Sequence, residues 1–174
     1  LRDNQALKIA CEHNTALAMI YIVEPIMLND KHMDIRHWRF ILQSIRDLNE
    51  QLFSVNSYIS ILYGDAVDVF SQLHEKYNVK QIVSHQEVSL THTYSRDKSV
   101  SNWCKDNKVR WTEVAQGAVY RPLNTRKNWP KLWNDRILAQ ASQPALENIK
   151  CISNITDTLA SQYSYVIPKL WQTA

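Results

Sequence analysis

The sequence predicts an α/β domain, with an open parallel sheet of about five strands and helices on both of its faces. Two observations carry this prediction. Short apolar runs alternate along the whole chain with amphipathic stretches of three- and four-residue spacing. Residues that start or stop helices stand at the junctions, above all Asp34 and the pair Gly64 and Asp65. Strict alternation of this kind is what right-handed crossovers between parallel strands require, and it places a ligand site beyond the carboxyl ends of the strands.

The elements follow in order. Asp3 is expected to cap a helix over "DNQALKIACEHN", and "TALAMIYIV" is a strand run that stops at Glu24 and Pro25. Asp34 is expected to cap the helix "RHWRFILQSIRDLNEQL", in which Trp38, Ile41, Ile45, Leu48 and Leu52 form one apolar stripe. "SYISILY" is the next strand. Gly64 turns the chain, and Asp65 and Asp68 suit the first turn of "AVDVFSQLHEKY", where carboxylates accept free amide hydrogens. "KQIVSH" is a short strand, a helix is expected over roughly residues 94–105, and "VRWTEV" is a last strand. "RKNWPKLWNDRIL" reads as partly helical despite Pro130. From Ala141 onward the periodicity fades into Ser, Gln, Asn and Thr, the pattern of a linker. A sheet of this class opens on a strand, whereas this sequence opens on a helix cap, so the first strand is expected to be missing from the chain.

Composition narrows the function classes. The 174 residues are 45% hydrophobic, enough for one ordinary core, and the formal net charge of +3 comes from interspersed charges without a basic tail. Cys11, Cys104 and Cys151 lie far apart and form no CxxC pair, which points to a reducing, cytoplasmic setting. No apolar run has the roughly 20 residues of a membrane span, and the first residues do not form a signal peptide. With only Gly64 and Gly117, neither a GxGxxG turn nor a P-loop can be written. His85 and Glu87 make an H-x-E without the P-C-x-x-C that would complete a zinc deaminase site, so no metal is expected. No Ser or Cys stands on a nucleophile elbow.

Two constellations remain. Arg36, His37 and Arg39 load cations onto a helix start that is already positive, at about 0.3–1 kcal/mol each when exposed. Either Glu24, Asp30 or Asp34 pairs with them locally, or an anionic or electron-rich planar ligand lies against this helix end, with Trp38 and Phe40 in its pocket or in the core. The second is "SHQEVSLTHTYSRDKSV", a polar loop after a strand that leads into a helix. It is either a ligand loop or a solvated one with Arg96 and Asp97 paired to each other.

Taken together, "LRDNQAL", the "EP" closing the next strand, "RHWRFILQSIRDLNEQL", "LYGDAVDVFSQL", "SRDKSVSNW" and "RPLNTRKNWPKLW" occur in the order of the N-terminal α/β domain of the DNA photolyase and cryptochrome family, which residues 1–133 resemble. The resemblance implies a Rossmann-like domain that holds an antenna chromophore. Residues 134–174 would then lead to a helical domain, absent here, that carries FAD, the tryptophan electron chain and most of the surface for damaged DNA. In a blue-light-dependent photolyase, a carbon–carbon lyase, excited reduced FAD donates an electron to a pyrimidine dimer and splits it. This fragment alone would be inactive, and the full-length protein a monomer without membrane contact. The alternatives are a signalling cryptochrome and an unrelated nucleotide-binding α/β module.

Carried over residue by residue, the resemblance implies an antenna lining of Glu24, Pro25, Arg36, His37, Phe40, Glu87, His92, Thr93 and Arg96. Glu24 and Pro25 match the position after the family's second strand, and Arg96 and Asp97 its arginine-aspartate pair. His37 stands where the family tends to place an arginine three residues before the phenylalanine. His92 and Thr93 replace the asparagine-glutamate pair of folate-binding members, so the resemblance implies a flavin or deazaflavin antenna in preference to a folate. It also makes the missing strand the central one. Buried unpaired backbone groups cost about 1–3 kcal/mol each against a net stability of about 5–15 kcal/mol, so about ten further residues upstream, or another chain's strand, are expected to fill the gap.

Overall fold

The computed structural model describes the chain except residues 13–15, 89, 118, 121–122, 124, 153–154 and 156–174. In chain order its elements are α1 (Gln5–Glu12), β1 (Ala16–Leu17), β2 (Met19–Val23), α2 (Pro25–Leu28), α3 (Ile35–Leu52), β3 (Ile59–Tyr63), α4 (Ala66–Tyr77), β4 (Gln81–His85), α5 (Thr91–Asp106), β5 (Arg110–Val114), α6 (Trp129–Ile137) and β6 (Lys150–Cys151). Short 3-10 turns cover Phe53–Val55 and Leu146–Asn148. The chain divides into two compact units: Leu1–Glu12 with Val79–Pro144, and His13–Asn78 with Ala145–Ala174. Among the described residues, no helix is long and apolar enough to cross a membrane.

The second unit is built on β2 and β3, which pair in parallel from Met19 opposite Ile59 to Val23 opposite Tyr63. The crossover helix α3 buries Trp38, Leu42, Ile45 and Leu52, so the predicted stripe is present with Leu42 at its centre. Asn49 fixes α3 to the start of β3, because its side chain accepts from the Ile59 amide at 2.6 Å and donates to the Ile59 carbonyl at 3.2 Å. Gly64 then donates to the Val23 carbonyl at 3.2 Å, with φ of 143° that disfavours any side chain. Asp65 caps α4 by accepting from the Val67 amide at 2.9 Å, and α4 ends at Asn78 in the left-handed conformation.

In the first unit β4 and β5 pair in parallel from Gln81 opposite Arg110 to His85 opposite Val114, with α5 as the crossover. Side chains reinforce this ladder: Trp111 Nε1 donates to Ser84 Oγ at 3.0 Å and Gln81 Nε2 to Thr112 Oγ1 at 3.1 Å. Helix α1 packs on both strands through a face that includes the buried Ala6, Leu7 and Cys11.

All three described sheets are two-stranded and parallel. The α/β class is therefore as the sequence predicts, and β2 to β5 each keep one edge without a strand partner among the described residues.

Three local expectations change. Asn4, not Asp3, caps α1 by accepting from the Leu7 amide at 2.8 Å, while Asp3 takes a left-handed φ of 54° and exchanges bonds with Ser142. The run "TALAMIYIV" is not one strand, because β1 pairs with β6 and β2 with β3. Helix α5 begins at Thr91, earlier than its apolar spacing suggests. Within the described part of the tail Lys150–Cys151 form β6, and the Ile152 amide extends the ladder to the Leu17 carbonyl at 3.0 Å. Pro130 breaks nothing, since it falls in the first turn of α6, where a missing N–H costs no helical bond.

Candidate functional site

The predicted site residues fall into the two units, five in the second and four in the first. In the second unit they follow β2. Glu24 is only 4% exposed, and its carbonyl accepts from the Met27 and Leu28 amides, which starts α2. Pro25 takes the first position of that short helix. Burial pushes the Tyr21 phenol above its ordinary range, and the negative charge of Glu24 pushes it further, so a protonated hydroxyl and a buried carboxylate influence each other at the end of this strand. Asp30, between α2 and α3, has a carboxyl group only 4% exposed. It accepts from the His32 amide at 2.7 Å and lies 2.8 Å from His32 Nδ1.

The start of α3 gives His37 a structural role. The Asp34 carboxylate accepts from the Arg36 amide at 3.3 Å, and His37 Nδ1 accepts from the Asp34 amide at 2.9 Å. This is a reciprocal capping box with histidine where glutamate or glutamine is usual. A backbone amide can only donate, so Nδ1 must carry its lone pair and the imidazole acts here as a neutral acceptor. Arg36 and Arg39 are exposed on this turn. Trp38 is core at 5% exposure, and Phe40 is 72% exposed.

In the first unit the site residues follow β4. The Gln86 amide extends the ladder to the Val114 carbonyl at 2.8 Å, and Glu87 then turns one oxygen onto the Val88 amide at 2.9 Å. Its other oxygen lies 3.7 Å from Arg96 Nη2. Arg96 reaches Asp97 Oδ1 with Nε at 2.9 Å and Nη2 at 2.8 Å, so the guanidinium is neutralised chiefly by its own neighbour. Thr93 is buried, and its hydroxyl donates to the Leu90 carbonyl at 2.8 Å. His92 is half-buried in the same first turn.

Within each unit, then, strand ends and helix starts assemble the predicted residues locally, and much of their charge is answered by neighbouring backbone or side chains. At the end of β2 this arrangement brings a buried carboxylate together with a protonated phenol. Among the described residues no group of three or more His, Cys, Asp or Glu could hold a metal ion. An open groove of about 370 Å³ lies elsewhere in the second unit, lined by Ile45, Arg46, Asn49, Glu50, Phe53 and Ile61, and includes none of the predicted residues. Sequence reasoning missed Tyr21 as part of the site, and it saw Asp30 only as an ion-pair partner. The one available signal was the D-K-H spacing of Asp30 and His32, which lets a carboxylate meet the amide and the ring two residues on.

The DNA photolyase family model matches residues 1–133. Cryptochrome-2 of Gallus gallus is 35% identical over 158 residues, 89% of this chain and 27% of that protein. Cryptochrome-1 of Macaca fascicularis is 32% identical over 82 residues, 47% of this chain and 14% of its own length. The chain thus spans about a quarter or less of these curated relatives. A Sulfolobus tokodaii photolyase, described with two FAD molecules and the implication of a novel light-harvesting cofactor, superposes with a TM-score of 0.71 at 19% identity, covering 99% of this chain and 39% of that one. A Synechocystis cryptochrome gives 0.70 at 16% identity, with 88% and 35% covered. At such identities the superpositions speak for the fold.

Proposed function

The chain belongs to the DNA photolyase family, and on that premise we propose that it is the antenna-chromophore domain of a blue-light-dependent photolyase whose FAD chemistry resides in a further, helical domain. The observation that carries this reading is the buried Glu24 carboxylate at the carboxyl end of β2, beside a phenol held in its protonated form. A flat heterocycle with imide N–H and carbonyl groups needs such acceptors and donors, and parallel strands present them at this edge. The residues fit a flavin-type ring better than a pterin. His92 and Thr93 provide no carboxylate, and the Thr93 hydroxyl is already spent on Leu90.

In this reading Glu24, Pro25, Arg36, His37, Phe40, Glu87, His92, Thr93 and Arg96 are each a candidate antenna contact, to be tested one by one. The bound antenna would supply light absorption and energy transfer. This chain's own residues bind and orient it and keep water from its ring, and perform no bond chemistry. The chain alone is inert toward DNA.

The test is titration of the domain with flavin mononucleotide, a deazaflavin and a methenyl folate, followed by fluorescence. The expected result is flavin or deazaflavin binding below about millimolar, weakened at least about tenfold by Glu24→Gln. No binding of any of the three, or binding indifferent to Glu24, defeats the proposal. A second reading, a signalling cryptochrome, is favoured by the names of the curated relatives. Full-length protein that binds flavin but leaves pyrimidine dimers intact under blue light would select it.

A further inference from the structure

Strand β3 reads ISILY, with no charge, no proline and no bulge, although β2 covers only one of its edges. Exposed sheet edges ordinarily carry one of those devices, because unpaired amides and carbonyls recruit further strands. Which groups face the open edge follows from one bond. In a parallel ladder alternate residues turn their amide and carbonyl toward the partner strand. The Gly64 amide donates to the Val23 carbonyl at 3.2 Å, so Ser60 and Leu62 face β2 while Ile59 and Ile61 face the other side.

That other side is guarded at one position. The Asn49 side chain answers both backbone groups of Ile59, accepting from its amide and donating to its carbonyl, as a neighbouring strand would. Ile61, two residues on, has no strand partner for its outward amide and carbonyl among the described residues. Beside it lies the groove of about 370 Å³, in which Ile45, Phe53 and Ile61 supply the apolar lining and Arg46 and Glu50 the charge. Phe53 is 81% exposed, and Arg46 and Glu50, four residues apart on α3, are exposed as well.

We propose that the outer edge of β3 and this groove form a strand-addition site for an extended segment of a partner protein. The segment carries a large aliphatic side chain, with an acidic residue two positions to one side of it and a basic residue two positions to the other. Its backbone pairs with Ile61, and Asn49, by occupying Ile59, fixes where the pairing starts. Side chains two apart on a strand share a face, so the aliphatic one enters between Ile45, Phe53 and Ile61 while the charged ones meet Arg46 and Glu50. The size of the groove selects a short segment over a second copy of this chain. It has room for only a few side chains, whereas a stable dimer buries about 1,200–2,000 Å².

The experiment follows the fluorescence anisotropy of two labelled heptapeptides, TKTLTET and TETLTKT, with the full-length protein. They offer the same three side chains in the two possible strand directions. The expected result is that one of them binds with a Kd below about millimolar, and at least about tenfold more weakly once its leucine is replaced by serine. Phe53→Ser, at an exposed position, should weaken binding by a similar factor, and bound peptide should slow amide hydrogen exchange across Ile59–Tyr63. Arg46→Glu with Glu50→Arg should reverse which of the two peptides binds more tightly. No binding by either peptide, unchanged exchange across Ile59–Tyr63, or a preference indifferent to the exchanged charges overturns the proposal. N-acetylleucine amide binding as tightly as the peptides overturns it in favour of a small-molecule pocket. Concentration-dependent dimerisation abolished by Phe53→Ser overturns it in favour of a second copy. None of these outcomes depends on whether the protein binds a flavin.

Discussion

Two helices in this molecule serve as crossovers between parallel strands, yet they are held in opposite ways. Helix α3 is closed at its start by Asp34 and His37, which answer one another's backbone, and buries four large side chains. Helix α5 has Leu90 at its N-cap with no side-chain cap bond, and its buried residues are the small Thr93, Val100 and Cys104. The difference teaches that two helices with the same topological role need not share the same means of being held. The first turn of α3 has spent its polar groups on itself. In the first turn of α5 Thr93 folds back to Leu90, and the Arg96 and Asp97 pair follows in the second turn.

The largest test of this contrast is in the cores. Leu42→Ala should destabilise by about 2–5 kcal/mol, and Val100→Ala by about 2 kcal/mol, measured by denaturant unfolding. Equal losses would show that the two helices are packed alike. Next come the caps. Asp34→Ala should cost about 1 kcal/mol, whereas Leu90→Ser, which gives α5 the acceptor it lacks, should gain up to about 1 kcal/mol. A loss at Leu90→Ser would mean that the α5 start is constrained by something other than its missing cap.

The histidine cap allows a finer distinction. His37→Ala should cost about 0.5 kcal/mol, and His37→Glu should restore the acceptor and add a favourable charge at the helix start. If His37→Glu is as destabilising as His37→Ala, the imidazole is not acting as the acceptor.

The smallest effect is a slope with pH. The Tyr21 phenol is raised above its ordinary value near 10, so the folded state holds that proton more firmly than the unfolded state. Its contribution to stability is complete below about pH 10 and is lost as pH rises through the folded-state value. Cys104 in α5, raised by burial alone, adds the same sign of dependence from about pH 9. Tyr21→Phe should flatten the alkaline limb of a stability profile; an unchanged limb would place its cause elsewhere.

What could be read from the sequence follows from the range of the interactions involved. The spacing of Trp38, Ile45 and Leu52 and the caps Asp34 and Asp65 are decided within a turn or two, and they stand as expected. The split of residues 16–23 into β1 and β2 depends on Lys150 and Cys151, more than a hundred residues away, which no local pattern announces. Asp3 looks as good a cap as Asn4 until Ser142 engages it. For the candidate site, position at a strand end was legible for Glu24 and Glu87, because alternation places them there. Their chemical state was not. That Glu24 is buried, that His37 accepts, and that Arg96 is answered by Asp97 depend on folded geometry rather than on composition.

The bonds between Asp3 and Ser142 have one further consequence. The Asp3 amide donates to the Ser142 carbonyl at 2.8 Å, the Ser142 amide donates to the Asp3 carboxylate at 2.9 Å, and the Ser142 hydroxyl meets Gln5. Amides outside helices and strands ordinarily exchange their hydrogens with solvent at nearly the unfolded rate, because nothing ties them down. Here two amides 139 positions apart share one closed ring of bonds, so neither can exchange without opening the other's partner. Their exchange rates should move together under any perturbation, making the pair a built-in probe of whether the first unit is closed, readable without a label.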